Sequence, residues 1–169
     1  MLALERAVAR CLDASSDFSG ALKAVIRTIC ESQNWTCGRF LRVDAAAGVL
    51  RLGEYWNAPN EAIHGFLEAA REFTYGPGVG MSGKVWQSGQ PLWIADISKD
   101  ARALSAIFKA ESGVRGAFAF PVSAQGTTVG VFAFNSYEIH EPDSQLLATV
   151  SSIGAQVGGY LRRQPEVAA

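Results

Sequence analysis

Two apolar runs near the C-terminal end, Val114 to Val122 and Thr127 to Ser136, are separated only by Ser123-Ala124-Gln125-Gly126. That spacing predicts an antiparallel hairpin. Successive strand residues point to opposite faces, so Phe118 and Phe120 share one face and Ala117 and Ala119 the other. On the second strand, Phe132 and Phe134 share a face opposite Val131, Ala133 and Asn135. If the phenylalanine faces coincide, the sheet has one bulky face and one small-residue face. The bulky face needs long helices to cover it. The small face either accepts a closely packed helix or floors a ligand cavity.

The rest of the chain supplies such helices and further strands. Leu4, Val8 and Cys11 predict a first helix over Leu2 to Asp13, and Ser15-Ser16-Asp17 ends it and caps a second. The second carries Leu22, Val25, Ile26, Ile29 and Cys30 and stops near Gln33-Asn34. Trp35 to Val43 and Val49 to Trp56 read as a hairpin around Asp44 to Gly48. Glu61 to Glu72 and Ala101 to Glu111 have helical periodicity, a short helix is expected over Ser82 to Gln87, and Pro91 to Ile97 reads as a strand. The last helix is expected from Glu141-Pro142-Asp143 to about Arg163, with Pro142 in its first turn. Its residues Leu146, Val150, Ile153, Val157 and Tyr160 repeat at spacing four, three, four, three, a heptad seam. The order α-α-β-β-α-β-α-β-β-α predicts an α+β fold on an antiparallel sheet.

Composition narrows the function. The chain has 169 residues, 49% hydrophobic, which suits one domain with a sizeable core. Fifteen basic and 16 acidic residues leave a net charge of −1, and no basic stripe occurs, so nucleic acid is not an expected partner. No apolar run is long enough to span a membrane, and the N-terminus is unlike a signal peptide; a soluble, cytoplasmic domain is expected. Cys11, Cys30 and Cys37 form neither a disulfide framework nor a zinc pattern, and His64 and His140 are far apart in sequence, so no metal is expected.

Two glycine motifs mislead. Gly78-Val79-Gly80-Met81-Ser82-Gly83 spells a dinucleotide fingerprint but lacks the parallel strand that the mechanism requires. Gly78 to Lys84 nearly spells a phosphate loop, but Val85 stands where the metal-binding hydroxyl belongs. A helix N-terminus facing an anionic ligand is the remaining functional reading. Glu61, Glu68 and Glu72 share a helix face without a basic partner, so a solvated face is expected there.

Three segments together resemble the GAF domains, small-molecule-sensing and signalling modules. These are Gly78 to Pro91 followed by Ile94-Ala95-Asp96-Ile97; Ala119-Phe120-Pro121-Val122 with Gly126 and Gly130-Val131; and Asp143 to Leu147 with Ile153 to Gly158. The resemblance implies a central antiparallel sheet of the GAF/PAS-like kind, terminal helices on one face and a ligand pocket on the other. Within it, residues 1–16 form an N-terminal helix, 17–163 the sensory domain and 164–169 a tail. Ala117, Ala119, Val131, Ala133 and Asn135 are then expected to line the pocket with Tyr55, Trp93, Leu104 and Phe108. Asp96 and Asn135 are its expected polar anchors.

Subtypes of the family differ at identifiable positions. Bilin photoreceptors carry a pocket cysteine, commonly followed by histidine, and Ala101 to Glu111 holds neither. Free methionine-R-sulfoxide reductases carry cysteines around the glycine turn and beyond, whereas Met81 and Ser82 occupy this turn and no cysteine follows Cys37. The cyclic-nucleotide signature needs a lysine after asparagine; Ser136 follows Asn135. The expectation is a non-enzymatic bacterial sensor domain with an unidentified small-molecule ligand, of the kind attached to two-component signalling proteins. A homodimer through the terminal helices and an output domain, fused or in trans, are its expected partners. The alternative is a ligand-free dimerisation and signal-relay module.

Overall fold

The computed structural model describes residues 1–59, 61–100 and 113–164; within residues 61–70 it describes the side chains of 64, 65 and 67–70. The expected helix over Ala101 to Glu111, with Leu104 and Phe108, lies outside the described residues.

Helices α1 (Leu2–Ala14) and α2 (Phe18–Gln33) precede a hairpin of β1 (Cys37–Asp44) and β2 (Val49–Asn57). Then come α3 (Glu61–Ala70), α4 (Gly80–Ser88), β3 (Leu92–Ile94), a 3-10 turn at Ile97–Lys99, β4 (Gly116–Ala124), β5 (Thr127–Ser136) and α5 (Ser144–Arg162). The five strands form one sheet in the order β2-β1-β5-β4-β3, and every neighbouring pair is antiparallel. Among the described residues the dinucleotide reading of Gly78 to Gly83 therefore has no parallel strand to stand on. The amides of Gly78, Val79 and Gly83 are bonded to carbonyls inside that turn.

The hairpin register sets the two faces. Phe118 pairs with Phe134 and Phe120 with Phe132, while Ala119 pairs with Ala133 and Ala117 with Asn135. All four phenylalanines are fully buried in one cluster with residues of α1, α2 and α5. Each ring so buried contributes about 1.5–3 kcal/mol. Neighbouring rings lie 5.4 Å apart for Phe120–Phe132 and 5.5 Å for Phe118–Phe134. The small-residue face packs in a second cluster with Leu67, Ala70, Tyr75, Met81 and Val85.

Local signals explain the helix ends. Asp17 caps α2 by accepting from the Gly20 amide at 2.7 Å, and Asn34 ends it in a left-handed conformation. Asp143 accepts from the amides of Gln145 and Leu146, so α5 starts at Ser144 and Pro142 stands ahead of the cap instead of inside the first turn. In α1 the buried stripe is Leu4, Val8 and Leu12; Cys11 sits beside it, 3.3 Å from the Thr28 hydroxyl.

The heptad seam of α5 has a different job from the one its spacing suggests. Leu146, Val150, Ile153, Val157 and Tyr160 are all buried within this chain, as is Leu161. A helix that lies along a sheet needs the same stripe as one that meets a partner helix, so spacing cannot separate the two. Here α5 settles close onto β4. A Cβ at Gly154 would strike the Pro121 carbonyl, and one at Gly158 the Ser123 carbonyl. No helix among the described residues is long and apolar enough to cross a membrane.

Candidate functional site

The small-residue face carries Ala117, Ala119, Val131, Ala133 and Asn135, five of the ten expected site residues. Ala117, Ala119, Val131 and Ala133 are fully buried on it, in one cluster with Leu67 and Ala70 of α3, Met81 and Val85 of α4, and Ile94, Ile97 and Val114. Alanine reaches only one carbon above the backbone, so this floor lies low wherever Ala117, Ala119 and Ala133 adjoin.

Asn135 stands on the same face, beside Ala117 on β4 and Cys37 on β1. It is fully buried, and neither its Oδ1 nor its Nδ2 has a hydrogen-bond partner. An amide in that state costs about 1–3 kcal/mol per unpaired group relative to a paired one. Folded chains leave few such groups, and those left call for an explanation.

Sequence reasoning missed two residues here. Arg39 is 1% exposed and alternates on β1 with Cys37 and Leu41, which belong to this cluster. It pairs across β5 with Ala133, one diagonal step from Asn135. An arginine on the same strand face as Cys37 and Leu41 was the available signal. Tyr75 joins the edge of β2 through two backbone bonds with Leu50, of 2.8 and 3.2 Å. Its ring is 2% exposed, and its hydroxyl is buried without a partner. No strand or helix period covers Tyr75, which follows the end of α3, so nothing in the sequence marked it.

Trp93 is a correction. It pairs with Phe118, so its side chain joins the phenylalanine face and not the alanine face. There its ring lies 4.8 Å from Phe118 and 5.4 Å from Trp35, and its indole donates to the His140 carbonyl at 2.7 Å. The three-residue β3 exposes too little alternation for its face to be read from sequence. Leu92 and Ile94 take the positions on the alanine side.

Asp96 and Tyr55 occupy the margins. Asp96 caps the 3-10 turn: its Oδ1 accepts from the Ser98 amide at 3.0 Å and hydroxyl at 2.6 Å, with Arg115 at 3.5 Å. The Ser98 hydroxyl above all, helped by the Ser98 amide and Arg115, holds its carboxyl below the usual range. The Asp96 Oδ2 is buried and unpartnered. Tyr55 sends its hydroxyl to α3, donating to Glu68 at 3.4 Å and accepting from Arg71 at 3.0 Å.

The Cys30 and Cys37 thiols are chemically quiet. Burial pushes Cys37 up to about 12, against a lowering by the Arg39 charge, and burial raises Cys30 as well. Such thiols stay protonated at neutral pH and are poor nucleophiles. Among the described residues, no cluster of His, Cys, Asp or Glu could hold a metal ion. His64 lies exposed on α3, and His140 stacks on Trp35 at 4.1 Å. Two open clefts lie elsewhere. One of about 660 Å³ is bordered by Phe18, Arg42 and Leu161, and one of about 560 Å³ by Arg27, Trp35 and Trp56. Neither contains an expected site residue.

Several solved structures share this architecture. The GAF domain of a phosphoenolpyruvate-protein phosphotransferase from Coxiella burnetii superposes with a TM-score of 0.77 at 18% identity, covering 94% of this chain and 90% of that one. The A. aeolicus nlh2 GAF domain in an inactive state gives 0.73 at 18% identity, with 95% and 94% covered. A free methionine-R-sulfoxide reductase from Neisseria meningitidis, in complex with its substrate, gives 0.72 at 16% identity, with 94% and 88% covered. At these identities the likeness establishes the fold alone. No curated protein matches the chain in sequence. The GAF domain family model matches residues 15–162, from just before α2 to the end of α5, and the chain belongs to that family.

Proposed function

We propose that this chain is a regulatory domain that binds a small molecule on the alanine face and passes occupancy to its terminal helices. The observation that carries the reading is Asn135: a fully buried amide, unpaired at both ends, on a floor of alanines. A ligand supplying one donor and one acceptor there would recover what the amide gave up on leaving water.

The route outward is short. Ala117 and Ala119 alternate along β4 with Phe118 and Phe120, which pack with α5 residues in one cluster. The same strand offers its Pro121 and Ser123 carbonyls to the closest approach of α5. A ligand that shifts β4 therefore changes the seat of α5. It acts by favouring one of two packings, to the extent that it binds them differently. A regulatory role is favoured over thiol catalysis because Cys30 and Cys37 are buried and held protonated. A homodimer through the terminal helices and an output domain of a signalling protein belong to the same proposal, with any dimer contact made outside the buried seam.

Native mass spectrometry of the purified protein tests the reading. A retained small molecule, released by Asn135→Val, is expected. Repeated absence of any retained or added ligand, with alanine methyl resonances that never respond, would instead favour the relay alternative.

A further inference from the structure

The cleft between the C-terminal end of α2 and the segment that follows β2 has the chemistry of a second binding site. We propose that it takes a neutral planar heteroaromatic molecule, stacked on Trp56 beneath Arg27 and accepting a hydrogen bond from the Trp35 indole. Trp35 and Trp56 pack with the phenylalanine face of the sheet, so this site is separate from the alanine face and does not rest on the reading above.

The cleft has a volume of about 560 Å³, a size that suits a small molecule. Trp35 lines it and is 4% exposed, and its indole Nε1 is buried with no hydrogen-bond partner. The polar groups that border the cleft beside it are already engaged. The Asn34 carbonyl meets the His140 Nε2 at 3.1 Å, and the Asn57 Nδ2 donates to the Ala58 carbonyl at 2.9 Å. An indole N–H only donates, so the group it lacks is an acceptor. A bound acceptor there removes the cost of a buried unpaired donor. Trp56, half-buried, lines the cleft as well, with the Arg27 guanidinium 5.8 Å from its ring centroid. Arg27 and Glu31 are paired at 3.1 Å with both side chains more than half exposed, so the guanidinium can lift and close over a ring laid on Trp56. A planar guanidinium stacks on an aromatic face, and a flat ligand extends that stack. Among the described lining residues only Arg27 and Glu31 carry charge, and the two cancel, which favours a neutral ligand over an ion. The far wall is braced, because the Ala58 amide donates to the Thr36 carbonyl at 2.9 Å. Trp35 also ties the cleft to the start of α5. His140 stacks on it at 4.1 Å and stands shortly ahead of Asp143, which caps that helix. An occupant that bonds the indole therefore bears on the segment that leads into α5.

The probes are quinoline and 2-quinolone, which carry an acceptor, and indole, a flat ring of similar size whose only hydrogen-bonding group is a donor. Binding is read at neutral pH from the Trp35 indole N–H resonance in a nitrogen–proton correlation spectrum of the whole chain. The expected result is that at least one of the two acceptor probes moves this resonance downfield and saturably. It should bind at least about fivefold more tightly than indole, the scale of one neutral hydrogen bond. Trp35→Phe should abolish that preference, and Arg27→Ala, at an exposed position, should weaken all three probes alike. The comparison of probes on the unmodified protein needs no variant to fold. Equal binding of the quinolines and indole overturns the proposal, as does failure of both quinolines to move the Trp35 resonance. A response confined to the methyl resonances of Ala117, Ala119 and Ala133 also overturns it, because the ligand is then on the other face of the sheet. A silent cleft leaves the alanine-face reading as it stands, so the two fail separately.

Discussion

Replacing Asn135 by valine separates the cost of the unpaired amide from its use. The Asn135 Oδ1 and Nδ2 are buried with no hydrogen-bond partner within the chain. Each such group costs about 1–3 kcal/mol, so removing both relieves several kcal/mol at most. Part of that gain is offset by crowding, because valine must fit beside Ala117 and Cys37 where the side chain is already fully buried. Valine suits a central strand, which adds a little. The net expectation is a gain of about 2 kcal/mol, or roughly 4–8 °C for a chain of this size. The protein should first be unfolded in urea and refolded after dialysis, so that no carried ligand stabilises the parent. Urea titration by circular dichroism then reads both proteins. A gain in stability together with loss of the ligand response is the signature of a group kept for binding at the expense of the fold. A loss of more than about 1 kcal/mol would refute the reasoning, because it would mean that the amide is satisfied within the folded chain.

Four further outcomes follow from the packing. Phe132→Ala should cost about 3–5 kcal/mol in urea unfolding, since its fully buried ring touches Phe40 and Phe120; a cost below 1 kcal/mol would contradict the placement of that face. Gly158→Ala should lower the unfolding temperature even though alanine favours helices by about 1 kcal/mol, because its Cβ meets the Ser123 carbonyl; an increase would show that α5 stands further from β4. Val157→Glu should abolish folding, read by loss of the near-ultraviolet dichroism, because it places a carboxylate in the intramolecular core; a folded variant altered only in association by light scattering would restore the seam as an interface. Asp96 has a folded value below its unfolded one, so its contribution is present above about pH 4 and fades as the pH falls through the folded value; Asp96→Asn should flatten the acid limb of stability against pH, and an unchanged limb would remove Asp96 from it.

Much of the architecture was written in local chemistry. Alternation along β4 and β5 assigned Phe118, Phe120, Phe132 and Phe134 to one face and Ala117, Ala119, Val131 and Ala133 to the other, and both assignments hold. Side-chain direction in a long strand is a property of the strand, so nine or ten residues suffice to read it. The Asp17 cap and the end of α2 at Asn34 were legible for the same reason: their hydrogen bonds close within a few residues. The face on which Asn135 stands was read from its strand position in the same way.

The remainder depended on partners distant in sequence. Trp93 went to the phenylalanine face because it lies across from Phe118, a pairing that no local pattern in a three-residue strand contains. The seam of α5 reads alike for a sheet and for a second helix; only the approach of Gly154 and Gly158 to β4 decided between them. Arg39 went unread in the sequence, and it is buried because β2 and β5 flank β1 on both sides while the layer beyond closes over that face. Whether a polar atom finds a partner is likewise a sum over everything packed around it. The sequence could place Asn135 on the alanine face, but only the assembled layers left its amide unpaired.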